Sequence, residues 1–246
     1  PDADADKPRG QDPRAAALDT KLYERGWLGI TYPKEYGGQG GDRISQYIVE
    51  EELTRVGVNV ALGGSGAPAI MAAGTEEQKK YFIPRLIKRE VSFCLGFTEP
   101  HAGADLANLR CSAVRDGDDY VINGQKMYTS AAHYSTHIYL MARTDRNAPK
   151  HEGISIFLFP MDTTYGTGRT NETYFDDVRI HKSCLLGEEN KGWRVGSMGL
   201  NLDRVGASRY LISVRRDEDI VNWVKNNRID GFSPAENPAI RDKIAE

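Results

Sequence analysis

The sequence has too few cysteines and histidines for several kinds of site. Its three cysteines show no even pairing and no metal-ligand spacing, which argues against a disulfide framework or a cysteine-based metal centre; they are Cys94, Cys111 and Cys184. We therefore expect free thiols in a reducing compartment. The five histidines form no HExxH or comparable cluster, so we expect no metal ion.

Long apolar runs and an excess of one charge are also missing. No stretch approaches the ~18 to 20 apolar residues that a membrane-spanning helix needs, and the first residues carry no signal-peptide pattern. The formal net charge is −3 and the basic residues are scattered along the chain, which argues against a nucleic-acid partner. A cytoplasmic enzyme without a membrane span is therefore the expected class.

What is present is a hydrophobic pattern whose period changes along the chain. Residues 1–13 are acidic, contain prolines and show no apolar period, which predicts a disordered leader. Helical spacing predicts an N-terminal helical domain over residues 14–90, and alternation predicts a middle β domain over residues 91–189. Helical spacing returns in residues 190–246. This order of helices, strands and helices predicts an α+β fold with segregated layers.

Local signals place elements within these domains. Thr75 and Gln78 form a capping box that predicts a helix start. Asn123-Gly124 predicts a turn after a short strand. We expect the middle domain to be antiparallel. Its predicted strands are Val91–Phe97, Leu109–Val114, Tyr120–Ile122, Ile138–Arg143, Ile154–Pro160 and Thr173–Ile180.

Two segments of the predicted β domain do not look like packing alone. The segment Phe93–Leu106, FCLGFTEPHAGADL, begins as an alternating strand. Thr98, Glu99 and Pro100 then break it into a polar loop, because proline cannot donate to a strand ladder. The segment Asn123–His133, NGQKMYTSAAH, ends in small and hydroxyl residues, which leave room for a flat group with a polar edge. Loops held by a rigid sheet are where binding groups concentrate.

Together with three other blocks, these segments resemble the acyl-CoA dehydrogenase family of flavoproteins. The matching blocks, in chain order, are WLGITYPKEYGGQG, GTEEQKKYFIPRL, FTEPHAGADL, VINGQKMYTSAAH and NETYFDDVRI. The resemblance covers roughly Gly26 to Asp203. It implies a helical domain, a central antiparallel β-barrel-like domain and the first helices of a C-terminal helical bundle.

The resemblance assigns the two segments to FAD. It implies that Phe97 and Thr98 contact the pyrimidine end of the flavin, where donors stabilise the negative charge that accumulates on reduction. Tyr128, Thr129 and Ser130 are implied as further contacts. The ring of Tyr128 covers one flavin face, and the hydroxyl of Ser130 bonds N5, the atom that receives hydride. Without a cofactor, Thr98 would cap a strand end, and Tyr128 and Ser130 would be ordinary strand residues.

The resemblance also implies substrate contacts and a base. Ala104 stands where much of the family has a serine that touches the acyl-CoA, so this contact rests on backbone. Asn201 and Arg204 are implied as further substrate contacts. Asp203 stands where some members place the glutamate that takes the proton from the substrate's Cα. Its structural alternative is an acidic residue at a helix start that pairs with Arg204.

A pair of acidic residues, Asp176 and Asp177, interrupts the last predicted strand. Paired carboxylates are compatible with metal binding or acid–base chemistry. The resemblance instead implies a structural role, because in the family this block closes the β domain.

The implied function is FAD-dependent oxidation of an acyl-CoA to its trans-2-enoyl thioester, with electrons passed to an electron-transferring flavoprotein. The implied assembly is a homodimer, a homotetramer or a hetero-oligomer. Two alternatives stay open: a non-catalytic, FAD-holding partner subunit of a hetero-oligomeric acyl-CoA dehydrogenase, and a flavin oxidase or monooxygenase on the same fold. Relatives have an extra stretch after the position of Thr163 and several more C-terminal helices. We therefore expect the intact protein to be longer than 246 residues.

Overall fold

The computed structural model describes residues 13–58, 66–161, 170–204, 207–229 and 231–245. Only the backbone is described at helical positions 199, 201–204, 207–209, 211, 212, 244 and 245. The leader predicted for residues 1–13 falls outside this part of the chain except at its last residue, and so does the position after Thr163. No helix of the described ranges is long and apolar enough to cross a membrane.

The described residues form helices at both ends of a sheet-forming region, in the predicted order. The helices are α1 (Pro13–Glu24), α2 (Arg43–Arg55), α3 (Gly66–Ala73), α4 (Glu76–Ile87), α5 (Gly192–Arg204), α6 (Ala207–Asn226) and α7 (Pro238–Ala245). The strands are β1 (Phe93–Gly96), β2 (Ser112–Asp116), β3 (Asp119–Ser130), β4 (His137–Arg143), β5 (Ile154–Pro160), β6 (Thr170–His181) and β7 (Leu185–Leu186).

The predicted capping box starts α4. The hydroxyl of Thr75 accepts a hydrogen bond from the backbone amide of Gln78 at 3.2 Å, and the Gln78 side-chain oxygen accepts one from the Thr75 amide at 3.1 Å. The Gln78 side chain also donates to the carbonyl oxygens of Ser183 and Leu185 at 2.9 and 2.8 Å. One glutamine therefore both caps the helix and fastens it to the segment that leads into β7.

The strands form one mixed sheet, in which β6, β3, β2, β4, β5 and β7 are neighbours in that order. The pairs β2–β3, β3–β6, β4–β5 and β5–β7 are antiparallel. β1 lies parallel to β4, with Phe93 opposite His137 and Gly96 opposite Leu140, and β2 meets β4 in parallel at one residue pair. The prediction of a wholly antiparallel domain is therefore wrong for β1. Two strands and their connections separate β1 from β4, which provides the crossover that a parallel pair needs.

The central strands β4 and β5 are buried along almost their whole length. Ile138, Leu140 and Phe157 lie in the main apolar cluster on one face of the sheet. On the other face α5 comes close, since a Cβ added at Gly196 would lie 2.3 Å from Cε of Met141. Because both faces are covered, these strands carry continuous apolar runs instead of a clean alternation.

The predicted turn at Asn123-Gly124 is wrong, because β3 runs straight through it. The pairing of β3 with β6 shifts register between Ile122 and Gly124, which marks a bulge. Gly124 has φ 143°, and a Cβ added there would lie 2.7 Å from the Cα of Cys111. The Asn123 side chain exchanges two hydrogen bonds of 2.9 Å with Asp177, one with its carboxylate and one with its amide. Asp177, which interrupts the apolar pattern of its strand, thus stabilises the bulge through these hydrogen bonds.

The described chain divides into two compact units. One contains the described residues within 1–42 and 62–204, and the other contains those within 43–61 and 205–246. The first unit holds the sheet together with α1, α3, α4 and α5. The second unit holds α2, α6 and α7. Helix α2 therefore belongs to a different unit from α1 and α3, its neighbours in the chain.

Candidate functional site

The two segments that the sequence singles out meet in the structure. The end of β1 continues into Phe97 and Thr98, and the second half of β3 runs beside it. The amide of Met127 donates a hydrogen bond of 2.9 Å to the carbonyl oxygen of Thr98. The predicted flavin contacts on both segments are therefore held next to one another, although about thirty residues separate them in the chain.

Phe97 and Thr98 lie at the edge where β1 leaves the sheet. The Phe97 side chain is buried, and its ring packs edge-on against Tyr139 with centroids 5.2 Å apart. The Phe97 carbonyl oxygen accepts a hydrogen bond of 3.1 Å from Nζ of Lys126. Thr98 is only half-buried. Of these two residues, Thr98 is the one whose side chain remains open to a ligand.

A bulge in β3 turns Tyr128 outward. The register with β6 shifts between Lys126 and Thr129, so the two residues between them leave the ladder. Tyr128 has φ 54°, in the left-handed region that bulky residues rarely adopt, and its side chain is 66% exposed. Strained backbone of this kind concentrates at binding and catalytic sites. An exposed aromatic ring at such a bulge is a ready platform for a flat ligand.

Thr129 and Ser130 point in opposite directions. The Thr129 side chain is fully buried, and its hydroxyl lies 3.5 Å from that of Thr173 on β6. Ser130 is exposed, as Tyr128 is. Only the backbone of Thr129 is therefore placed to contact a ligand, whereas Ser130 offers its hydroxyl.

The turn after β3 is fixed from β6 by Asn171. Its side-chain amide lies 3.1 Å from the carbonyl oxygen of Thr129 and 3.1 Å from Nδ1 of His133. Ala131 has φ 66°, and its carbonyl oxygen accepts hydrogen bonds from the amide and the hydroxyl of Ser135. Asn171 and Ser135 thus fix the residues immediately before and after Ser130. Asn171 and His133 both lie in blocks that the sequence analysis named, but their contact was not predicted, because no spacing rule joins them.

A buried ion pair lies directly behind the site. Nζ of Lys126 is 2.8 Å from Oε1 of Glu99, and the two side chains are 0% and 2% exposed. Glu99 also accepts hydrogen bonds from the amides of Arg110 and Cys111 at 2.7 and 2.9 Å. Burial lowers the pKa of the Lys126 ammonium, and the adjacent Glu99 carboxylate opposes that shift. Both charges therefore have the partners that buried charges require.

This pair was not predicted from the sequence, but the sequence does contain a signal for it. Alternation from Tyr120 and Ile122, both buried, places residue 126 on the inward face of β3. A lysine at an inward position requires a buried partner, because an unpaired charge is costly inside a protein. The signal does not say which acidic residue supplies that partner.

The loop after Thr98 is open where a substrate contact was predicted. Ala104 is exposed, and a Cβ added at the preceding Gly103 would meet nothing closer than 4.0 Å. The loop is anchored at its base by paired backbone hydrogen bonds between Glu99 and Ala102. Asp105 pairs with Lys150 at 2.6 Å. Ala104 therefore lies on an accessible, backbone-rich surface, and its substrate role remains a prediction.

The predicted base and its neighbours fall where only the backbone is described. Asn201, Asp203 and Arg204 occupy the last turn of α5, and their side chains lie outside the described part of the structure. Asp203 does not lie at the start of α5, as its structural alternative supposed; the pairing with Arg204 that this alternative also named falls on side chains outside the described part. The catalytic assignment stays a prediction.

The exposed groups at this site fit a flavin. An isoalloxazine ring presents a flat aromatic surface and a polar edge that takes up negative charge. The exposed ring of Tyr128 matches the flat surface, and the hydroxyls of Thr98 and Ser130 match the polar edge. Of the two small residues that follow, Ala131 is half-buried and Ala132 is buried in the apolar cluster of the sheet. Across the described ranges no group of three metal-ligating residues forms.

Comparison with known families identifies matches over most of the chain. Residues 2–90 match the family model described as the acyl-CoA dehydrogenase N-terminal domain. Residues 94–178 match that of the acyl-CoA dehydrogenase middle domain. The second match spans both site segments.

Two curated relatives come from Mycobacterium tuberculosis (strain ATCC 25618 / H37Rv). The acyl-CoA dehydrogenase FadE26 is 44% identical over 220 residues, which cover 84% of this chain and 55% of the relative. The acyl-CoA dehydrogenase FadE29 is 43% identical over 249 residues, which cover 95% of this chain and 64% of the relative. The chain thus spans between about half and two thirds of the length of these relatives.

Among solved structures, the chain is similar to the one described as "Tcur3481-Tcur3483 steroid ACAD". The TM-score is 0.81 at 38% sequence identity. The alignment covers 98% of this chain and 64% of the solved chain. The alignment therefore includes helices that precede and helices that follow the sheet-forming region in the chain.

Proposed function

The chain belongs to the acyl-CoA dehydrogenase family of FAD-dependent oxidoreductases, and from this premise we propose that it takes part in the α,β-dehydrogenation of an acyl-CoA thioester. The product is the trans-2-enoyl-CoA. The flavin site is formed by Phe97 and Thr98 on one segment, with Tyr128, Thr129 and Ser130 on the other.

One observation carries this proposal. The Met127–Thr98 hydrogen bond brings the Thr98 segment beside the end of β3, where the bulge leaves the side chains of Tyr128 and Ser130 exposed. Packing alone does not require an exposed tyrosine with a left-handed backbone at this point. A flat ligand that stacks on the ring and receives hydrogen bonds at its edge accounts for the arrangement.

Each protein group has a defined task in this mechanism. Bound FAD supplies the acceptor for the hydride that leaves Cβ of the substrate. Thr98 and Ser130 donate hydrogen bonds toward the positions where negative charge develops, and such donors favour the transition state because they are already oriented before reaction. Tyr128 orients the ring system by stacking. The backbone around Ala104 contributes contacts to the acyl-CoA.

The reaction also requires a base for the proton on Cα. We assign this task to Asp203, with Asn201 and Arg204 as neighbouring substrate contacts. A carboxylate that accepts the Cα proton as hydride leaves Cβ balances the loss of two hydrogens from the substrate. Aspartate is one methylene shorter than glutamate, and a misplacement of ~1 Å is enough to cost about a hundredfold in rate.

Partners and substrate follow from the same premise. Electrons pass on to an electron-transferring flavoprotein, and the working assembly is a homo- or hetero-oligomer in the cytoplasm. The similar solved structure, Tcur3481-Tcur3483, is described as a steroid ACAD. An acyl-CoA with a steroid ring system is therefore the first substrate class to test, beside straight-chain acyl-CoA thioesters.

Anaerobic reduction of the bound flavin tests the proposal. The purified protein should carry the yellow absorbance of FAD, and an acyl-CoA should bleach it in the absence of oxygen. A protein that takes up no FAD would refute the proposal. A yellow protein that no acyl-CoA bleaches would point to a non-catalytic partner subunit or to oxygen chemistry instead.

A further inference from the structure

The buried Glu99–Lys126 pair joins the same two segments as the proposed flavin site. Lys126 belongs to β3, two residues before Tyr128, and Glu99 directly follows Thr98. The ammonium of Lys126 donates to the Phe97 carbonyl oxygen at 3.1 Å and to the Glu99 carboxylate at 2.8 Å. One side chain therefore holds the residues on both sides of Thr98.

The main-chain bond between the segments lies within this arrangement. The Thr98 carbonyl oxygen accepts from the Met127 amide at 2.9 Å. In the sequence, Thr98 stands between Phe97 and Glu99, the two residues that Lys126 bonds. Three consecutive residues of one segment are thus bonded to two consecutive residues of the other. Rotation or sliding of Thr98 against Tyr128 would break at least one of these bonds.

The carboxylate is fixed from its other side as well. The amides of Arg110 and Cys111 donate to Oε2 and Oε1 of Glu99, and Nε2 of His101 lies 3.3 Å from Oε2. Because the lysine lies on β3 and both amides belong to the segment just before β2, the position of Glu99 is set by other chain segments and not by its own loop alone.

We propose that Glu99 and Lys126 are positioning residues for the flavin site, which fix Thr98 and the Tyr128 bulge in the geometry that binds the ring system. The proposal rests on the proposed function. The ion pair does not touch the ligand itself; it acts through the Phe97–Thr98 backbone and the bulge. Replacement of the pair is therefore expected to weaken FAD binding even where the fold is kept.

A pair of isosteric substitutions separates positioning from stability. Lys126→Met keeps the length of the side chain but leaves the Glu99 carboxylate buried without its cation, so this variant should lose both thermal stability and FAD affinity. In the double variant Glu99→Gln with Lys126→Met, no charge is left buried, and the side-chain oxygen of the introduced glutamine still accepts from a backbone amide. The double variant should regain part of the stability lost by Lys126→Met, because the buried charge is gone although one of the two amides, of Arg110 or Cys111, loses its acceptor.

FAD affinity should not be regained with it. The Phe97 carbonyl has lost its donor in both variants, so apoprotein of the double variant should bind FAD about 10- to 100-fold more weakly than wild type, the size of effect known for residues that position metal ligands. Quenching of FAD fluorescence measures the dissociation constant, and thermal unfolding of the apoprotein measures stability. Arg179→Gln is the control, because it breaks an exposed ion pair with Asp116 of 2.8 Å and should change neither quantity.

Each outcome is informative. Weak FAD binding in a thermally recovered double variant supports the proposal. Wild-type affinity in the double variant overturns it and leaves the pair a packing feature. If wild-type apoprotein itself binds no FAD, the proposed function fails, and that result is distinct from a failure of the positioning role. If Lys126→Met does not fold, the double variant and the single variant Glu99→Gln decide the question.

Discussion

The amide nitrogen of Met127 lies 2.9 Å from the carbonyl oxygen of Thr98, and this hydrogen bond joins the two segments of the proposed flavin site. It is made by backbone atoms alone. Substitution of the exposed side chains of Tyr128 or Ser130 removes neither of its two atoms. For this reason, side-chain variants at Tyr128 or Ser130 should report on binding and chemistry, with little effect on the fold.

Ser130→Ala should slow reduction of the flavin with almost no change in stability. The Ser130 side chain is exposed, so its removal leaves no buried partner unsatisfied. Loss of one donor aimed at developing charge costs on the order of 100-fold in rate. Stopped-flow measurement of anaerobic bleaching by an acyl-CoA gives the rate, and urea unfolding gives the stability.

The control for this variant is Ser183→Ala, which removes a hydroxyl that lies 2.9 Å from Nδ1 of His181 on the surface. It should reduce flavin at the wild-type rate. An unchanged rate in Ser130→Ala would show that Ser130 does not donate to the reacting part of the flavin.

Asn171→Ala should destabilise the protein and weaken FAD binding together. The substitution removes the amide that holds the Thr129 carbonyl oxygen and His133, and the loss of such bonds costs about 1–3 kcal/mol. Urea unfolding of the apoprotein and FAD titration measure the two effects. The control is Asn227→Ala, which removes an exposed hydrogen bond to the Trp223 carbonyl oxygen. It should lower the unfolding free energy much less and leave FAD binding intact. Equal effects in the two variants would contradict a role for Asn171 in holding the turn.

Two glycine substitutions test why β3 continues through a predicted turn. Gly124→Ala should be strongly destabilising, by about 2–4 kcal/mol, because the added methyl meets the backbone of Cys111 and the φ of 143° is unfavourable. Gly117→Ala shares a positive φ, 64°, but has nothing within 4 Å of the added carbon, so it should cost only about 1 kcal/mol. Chemical denaturation compares the two. A similar loss in both would mean that close packing at Gly124 contributes little.

The sequence predicts elements well where one local signal decides them. The capping box locates the start of α4, and β5 begins and ends at the predicted residues Ile154 and Pro160. The helix, strand, helix order is confirmed. These features depend on neighbours in the chain, so a single sequence contains the information.

Features that depend on distant partners were predicted less well. Asn123-Gly124 has the composition of a hairpin turn, but Asp177 on another strand supplies its partner and makes it a bulge. The parallel placement of β1 and the pairing of Lys126 with Glu99 likewise depend on contacts between segments far apart in sequence. The resemblance singled out the two segments of the proposed flavin site, whereas the groups that hold them in place emerged only from the structure.

Alkaline pH should destabilise the fold through two buried thiols. Burial raises the pKa of Cys94 and of Cys111 from the ordinary value near 9 to about 11. Between pH 9 and 11 the unfolded thiols lose their protons while the folded ones keep them, so stability falls as pH rises. Each thiol contributes at most about 2.7 kcal/mol to this fall. Unfolding free energies at pH 8 and pH 10 measure this fall. In Cys94→Ala the unfolding free energy should depend less steeply on pH. An unchanged slope in that variant would exclude Cys94 as a cause of the fall.

Asp203→Asn should abolish proton abstraction while the protein still binds FAD. Loss of a general base typically costs about 10²–10⁴ in rate, so bleaching by an acyl-CoA should slow by that factor, with an unchanged FAD dissociation constant. Asp118→Asn, which alters an exposed partner of Lys182, is the matched control and should bleach normally.

Asp203→Glu adds the information that a loss alone cannot provide. If the short side chain limits the reach of the carboxylate toward Cα, the longer glutamate should maintain or increase the bleaching rate, whereas a base already at its optimal distance should lose activity when displaced by ~1 Å. Both interpretations assume that Asp203 is the base, which the Asp203→Asn variant tests. Full bleaching in Asp203→Asn would instead assign the proton to another group, and the glutamate variant would then have no bearing on the chemistry.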